Sequence, residues 1–220
     1  MAIKKIIILG ATGGCLDLID LIESINKIKK KYKIVGFLED TIKKNSLVSG
    51  YKILGKFKDI KILNKKDIFF AIGIGSAKNF LKTEKIINDF QIKKAKFLTL
   101  IHPNSSISRN STIGVGCNIF QNCTVSRNVI IKNFVNVLPL SFIGHDSILQ
   151  DFVKINSGVI INSKVIIKKK CYVASGVEVK EGVTIEESNL IGMSTLVLKN
   201  INIKKNIIYN KRKFYCKVNK

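Results

Sequence analysis

The chain of 220 residues is long enough for one large domain or two modest ones, each with its own core, and 46% hydrophobic against 24% charged residues is an ordinary balance for a folded protein. Lys, Asn, Asp or Glu break every apolar run before it reaches the length of a membrane span, and the opening MAIKKIIILGATGG lacks a small-residue cleavage pattern before Asp17 and Asp20, so a cytosolic protein is expected. The formal charge of +23, nearly all of it lysine spread along the chain, suits phosphate-rich small molecules, and no nucleic-acid-binding motif accompanies it.

The first hundred residues alternate between strand and helix patterns. Lys5–Gly10 (KIIILG) reads as a buried parallel strand, and Cys15–Lys29 carries Leu16, Ile19, Leu21, Ile22, Ile25 and Ile28 at helical spacing. Between them lies Gly10-Ala11-Thr12-Gly13-Gly14. Such a turn either brings backbone N–H groups and a helix N-terminus up to a phosphate or sugar, or is a tight strand-to-helix connection without a ligand. It has neither the Gly-Lys-Ser/Thr of a P-loop nor a full G-x-G-x-x-G, so neither ATP hydrolysis nor hydride transfer is indicated.

A second strand, Lys33–Leu38, ends in Glu39-Asp40, where an acid beyond the strand can accept hydrogen bonds from a ribose or base. A third, Asp67–Ile72, runs into Gly73-Ile74-Gly75-Ser76 and then a helix expected to carry Phe80, Leu81, Ile86, Ile87 and Phe90 on one face. Three strand ends with glycine or acid beyond them describe a crevice, and residues 1–100 are read as a small Rossmann-like α/β domain.

From Ile107 a period of six takes over. Stepping by six to Ile203 gives seventeen residues, every one Ile, Leu or Val. Six does not match the 3.6-residue helical period, whereas a short strand followed by a corner returns every sixth side chain inward. Four residues after each anchor comes a second inward position, filled from Ser111 to Val183 by Ser, Cys or Val, as a narrow interior requires. Cys117, Cys123 and Cys171 occupy that position and read as small core residues. The five cysteines and two histidines show no ligand spacing, so no metal site is expected.

Histidine is the usual proton-transfer group near neutral pH, and the chain offers two. His102, in Leu100-Ile101-His102-Pro103, sits at the entry to the repeat and reads as a joint residue. His145 follows the anchor Ile143 by two residues and therefore points outward, with Asp146 beside it to fix the tautomer. The alternative is an ordinary exposed histidine on a corner.

The repeat resembles that of the hexapeptide-repeat acyltransferases, which fold as a left-handed parallel β-helix with three hexads per coil, although the second hexad residue is Gly only at Gly114, Gly144 and Gly192. Taken with ILGATGG, FLED, FFAIGIG, LIHPNSSIS and IGHDS, nearly the whole chain resembles the sugar acetyltransferase family that includes bacillosamine N-acetyltransferase and sialic acid O-acetyltransferase-like proteins. The resemblance implies three segments: residues 1–100 for the nucleotide sugar, 101–205 as a β-helix acetyltransferase domain, and a basic tail at 206–220. It further implies acetyl-CoA as co-substrate, a homotrimer with the active sites between subunits, His145 as general base and Asp146 as its orienting acid. Substrate contacts map to Thr12, Gly13, Gly14, Glu39, Asp40 and Gly73, and acetyl-CoA contacts to Lys154, Ser163, Ser175 and Met193, with Lys154 standing where relatives can have a second histidine. Where many relatives close over the cofactor with Gly-x-Pro-Ala, this chain has Tyr209-Asn210-Lys211-Arg212-Lys213, which either grips CoA phosphates or is a solvated tail. The expected activity is acetyl transfer to an amino group of a nucleotide-linked sugar, UDP being the expected nucleotide. A sugar hydroxyl as acceptor, or a non-catalytic sugar-nucleotide-binding scaffold, are the competing readings.

Overall fold

The computed structural model describes residues 3–209. The chain opens with β1 (Lys4–Leu9), a 3₁₀ turn at Gly13–Cys15 and α1 (Asp17–Ile28), and returns through β2 (Tyr32–Leu38). A hairpin of β3 (Leu47–Val48) and β4 (Tyr51–Gly55) follows. Its two-residue turn, Ser49-Gly50, takes positive φ at both positions, as the twist of a tight hairpin demands. Then come α2 (Ile60–Leu63), β5 (Ile68–Ile72) and α3 (Thr83–Asp89).

The sheet order is β3-β4-β2-β1-β5, with only β3 antiparallel. The chain leaves β1 toward β2 on one side and later reaches β5 on the other, so the ends of β1, β2 and β5 flank a topological switch point, where α/β sheets open a crevice. α1 buries Leu18, Ile19, Leu21, Ile22 and Ile25 against the sheet, while Ile28 at its end is exposed. The expected helix after Gly75 is shorter than its pattern. A 3₁₀ turn at Phe80–Lys82 precedes α3, and Leu81 faces solvent while Phe80, Ile87 and Phe90 are buried.

From Leu100–Ile101 onward the chain is a left-handed parallel β-helix, a triangular prism whose three faces are stacks of two-residue strands. Each strand pairs in parallel with the one eighteen residues on, as Val125 does with Ile143, Ile143 with Ile161, and Val137 with Ile155. Three hexads therefore make one coil. The anchors from Ile119 to Val197 are buried, and Ile107 and Ile113 cap the core at its open end.

The small residues at the second inward position have a common task. Ser141 and Ser147 donate their hydroxyls to the carbonyls of Asn156 and Asn162, and Cys117, Cys123 and Cys171 aim their thiols at those of Lys132, Leu138 and Glu186. Each reaches the carbonyl fifteen residues ahead, satisfying a backbone acceptor that the tight corner turns inward. Burial drives the Cys117 and Cys171 thiols up to about 12, so they remain protonated donors.

At the corners, every sixth residue from Gly116 to Ser194 has positive φ, including Phe134 and Phe152. Bulky residues seldom adopt this conformation. Here both rings are buried, stacked at 4.9 Å, and Phe97 packs edge-on to Phe134 at 5.4 Å, so the corner seats the α/β domain.

The period breaks at its end. Ile203, the last expected anchor, is 54% exposed; Ile201 takes the inward place by pairing with Ile185, only sixteen residues away. The final coil is two residues short at that point, which throws Ile203 outward, and Ile208 completes the stack against Ile191. Among the described residues no helix is long and apolar enough to cross a membrane.

Candidate active site

At the switch point lies a cavity of about 530 Å³ between the α/β domain and one face of the prism. From the α/β side it is lined by the glycine turn, with Thr12, Gly13 and Gly14, by Glu39, and by Gly73 to Ser76. The sequence-derived substrate residues Thr12, Gly13, Gly14, Glu39 and Gly73 thus lie together on one wall. Asp40 does not. Its carboxylate turns away and accepts the Phe57 N–H at 2.9 Å.

Glu39 is buried and engaged. One carboxylate oxygen accepts the Ala11 N–H at 3.1 Å, and the other accepts the Thr41 N–H and hydroxyl at 3.1 and 2.9 Å. It ties the end of β2 to the turn after β1, holding the glycine turn open beneath the cavity. Gly73 and Gly10 leave room for Cys15, whose thiol would collide with a side chain at either position.

The opposite wall comes from the prism: Asn136, Leu138, Lys154, Ile155, Asn156 and Tyr172. Asn136, Lys154 and Tyr172 occupy equivalent outward positions on successive coils. Lys154 is only 5% exposed, and its ammonium donates to the Ile74 carbonyl at 3.2 Å. Burial lowers its pKa to about 8, against smaller opposing effects of the facing Cys117 and Cys15 thiols. Tyr172 donates its hydroxyl to Asn156 at 3.1 Å and packs its ring on Phe80. Sequence periodicity identifies these residues as outward-facing, but it does not tell which of three faces meets the α/β domain. A polar row at eighteen-residue spacing, Asn118, Asn136, Lys154 and Tyr172, is the signal that marks this wall.

His145 lies elsewhere, on the corner that follows Ile143, with half of its side chain in solvent (53%). Its Nδ1 is 2.7 Å from one oxygen of Asp146, and the Asn128 amide donates to the other at 2.9 Å. An ionised carboxylate only accepts, so this bond places a proton on Nδ1, and in the neutral imidazole the free lone pair is then on Nε2. The same imidazole, followed by Asn128, holds the Asp146 carboxyl below its ordinary pKa. Asp146 is at a positive-φ corner (61°), the backbone conformation that turns its carboxylate back toward the ring before it. Gly144 is packed so closely on Asn162 and Ser163 of the next coil that a Cβ would collide with their backbone.

His102 differs in kind. Its Nδ1 accepts the Asn104 N–H at 3.1 Å, closing the turn that enters the prism, and desolvation lowers its pKa. Of the residues mapped to acetyl-CoA, Ser163 sits one coil beyond His145 on the same corner, whereas Ser175 and the exposed Met193 lie on the preceding corner. Lys154 is inside the cavity with the glycine turn. The basic stretch from Asn210 to Lys213, and Cys216, lie outside the described residues. Among the described residues no group of three His, Cys, Asp or Glu side chains is placed to hold a metal ion.

The α/β unit, with its glycine turn and clamped acid, agrees with a known domain. Residues 5–87 match the PglD N-terminal domain family. No curated protein sequence matches the chain. Solved structures match nearly all of it. The acetyltransferase domain of PglB from Neisseria gonorrhoeae is 19% identical with a TM-score of 0.81, covering 94% of this chain and 97% of that one. Perosamine N-acetyltransferase from Caulobacter crescentus, solved with CoA and GDP-perosamine, is 16% identical with a TM-score of 0.77 over 94% of this chain and 92% of that one. WeeI from Acinetobacter baumannii is 20% identical at a TM-score of 0.77, covering 90% and 93%. An α/β domain followed by a left-handed parallel β-helix is thus the fold shared by these proteins and this one. In this chain the PglD-type domain supplies one wall of the cavity and the β-helix the other, while His145 stands on a corner that the cavity of the same chain does not reach.

Proposed function

We propose that the protein transfers an acetyl group from acetyl-CoA to an amino group of a nucleotide-linked sugar, in the biosynthesis of a surface glycan, in the cytoplasm. The observation that carries this reading is the His145–Asp146 pair: an exposed imidazole, its Nδ1 hydrogen-bonded to a carboxylate and its Nε2 unoccupied, on a fold whose solved neighbours include one bound to acetyl-CoA and one bound to CoA and GDP-perosamine. The cavity under the glycine turn supports a nucleotide sugar as acceptor, with UDP as our choice of nucleotide.

In the reaction, the acceptor amine attacks the thioester carbonyl carbon while His145 Nε2 removes its proton. The tetrahedral intermediate collapses with cleavage of the C–S bond, and the imidazolium returns the proton to the CoA sulfur. Asp146 stabilises the imidazolium between those steps. Ser163, Ser175 and Met193, on neighbouring corners, are assigned to the CoA arm.

The active form is proposed to be a homotrimer in which the cavity of one subunit faces His145 of another. Two observations favour it. The histidine does not line its own chain's cavity, and the prism face that leads to it exposes Phe142, Ile160 and Leu196 in its stacked coils, with Leu140 beside them. Residues 1–100 would bind the sugar nucleotide and 101–205 carry the transfer.

The test is His145→Ala. Because the side chain is half in solvent, the variant should melt as the wild type does and lose about 10²–10⁴ in kcat, measured as CoA release from acetyl-CoA with a panel of amino and hydroxyl sugar nucleotides. An unchanged rate rejects the reading.

A further inference from the structure

We propose that Lys154 recognises the diphosphate of the bound nucleotide sugar, its ammonium pairing with a diphosphate oxygen. The inference rests on the acceptor being a nucleotide sugar, and adds one residue of the prism to a site otherwise built from the α/β domain.

The argument starts from the polar row on the cavity face of the prism. Asn118, Asn136, Lys154 and Tyr172 stand one coil apart. The Asn118 amide donates to the Ile72 carbonyl at 2.8 Å, Tyr172 bonds Asn156, and the side-chain oxygens of Asn118 and Asn136 are buried without partners and out of reach of a ligand. Lys154 differs: it has three N–H donors and uses one, on Ile74, and among the described residues no carboxylate pairs with it. A desolvated ammonium is unfavourable unless an anion meets it.

The cavity holds no internal candidate for that anion. Its single acidic lining residue is Glu39, whose two oxygens already accept three bonds from Ala11 and Thr41. Lys154 is the single basic residue of the lining, so it is the uncompensated cation of a cavity whose other wall is a glycine turn opening a twelve-residue helix. The remaining titratable groups that face it, the thiols of Cys15 and Cys117, are both kept protonated by burial. A ligand that satisfies the ammonium must present an anionic acceptor. Within a nucleotide sugar that acceptor is the diphosphate. Loop residues Gly73 to Ser76 pass directly over the lysine stem, and at Gly75 (φ 122°) any side chain would collide with it, so the ammonium is fixed in place before the ligand arrives.

The experiment uses isothermal titration calorimetry of the full chain with UDP, GDP and dTDP and with the corresponding nucleosides. Lys154→Met should weaken the diphosphate that binds best by about tenfold to a hundredfold, the scale of lost charge-assisted hydrogen bonds, while nucleoside affinities stay unchanged. A second measurement needs no variant: near pH 8.5 the wild-type protein should take up protons on binding the diphosphate, detected by repeating the titration in buffers of different ionisation enthalpy, and its affinity should fall as pH rises from 7 to 9.5. Full diphosphate affinity in Lys154→Met, or the absence of proton uptake by the wild type, overturns the inference. Wild-type protein that binds none of the three diphosphates overturns it as well. Acetyl transfer by wild-type protein, abolished in His145→Ala, would leave the proposed function standing in any of these cases.

Discussion

In the prism, each buried side chain meets the residues eighteen positions before and after it, as Val137 meets Ile119 and Ile155; in the α/β sheet, Ile8 of β1 lies between Phe37 and Ala71, which come from segments unrelated by any period. The prism register runs without a slip from Ile101 to Val197, whereas β1 and β2 shift register between Ile6 and Ile7. A solenoid of this sort depends on nearest-neighbour coils and tolerates variety on its outside. The α/β domain has one indivisible core, and its strand ends are free to carry glycines and acids because the loops there do not have to repeat.

This difference can be tested by stability. Leu149→Ala, at a fully buried anchor in mid-prism, should cost about 2–5 kcal/mol in denaturant unfolding, since neighbouring coils cannot collapse into the space. A loss below about 1 kcal/mol would show that the stack is loosely packed.

The seam between the two regions carries a penalty of its own. Lys154 titrates near 8 in the fold against 10.5 in an unfolded chain, so below pH 8 both states are charged and the folded protein bears the whole desolvation penalty, about 3 kcal/mol. Between pH 8 and 10.5 the unfolded chain holds more protons, and the ligand-free protein should gain stability as pH rises. Lys154→Met should stabilise ligand-free protein at pH 7 by an amount that shrinks over this window, read from melting curves at fixed salt; a destabilised variant would contradict the burial of an unpaired charge.

The smallest effect is expected at Ile203. By the period alone it equals Leu149, yet Ile203→Ala should change stability by less than about 0.5 kcal/mol because its side chain is in solvent.

Those two positions show what the sequence can and cannot carry. The inward anchors are legible because a six-residue repeat leaves one arrangement open to them. Ile203 is misassigned by the period because the shortened last coil, where Ile201 reaches Ile185, is a local backbone event invisible to a pattern of residue types. The glycine turn, Glu39 and Gly73 are legible as strand-end chemistry, and they converge on the cavity. Adjacency in sequence places Asp40 beside Glu39, but successive residues at a strand end point opposite ways, and Asp40 caps Phe57 instead. Asn136 and Tyr172 are legible only through the polar row at eighteen-residue spacing, because nothing local says which face of a three-sided prism the first domain will cover.

Two cavity walls in one chain and an imidazole beyond their reach lead to the central claim, that the site is completed between subunits. It is tested by coexpressing two variants, each inactive alone: His145→Ala, whose cavity is intact, and one whose glycine turn is blocked by Gly13→Trp, whose histidine is intact. If one chain's cavity works with another chain's histidine, the coexpressed protein as a whole should recover about a quarter of wild-type activity, the fraction of sites that draw both good halves at random. Activity no higher than that of the separate variants would contradict the claim.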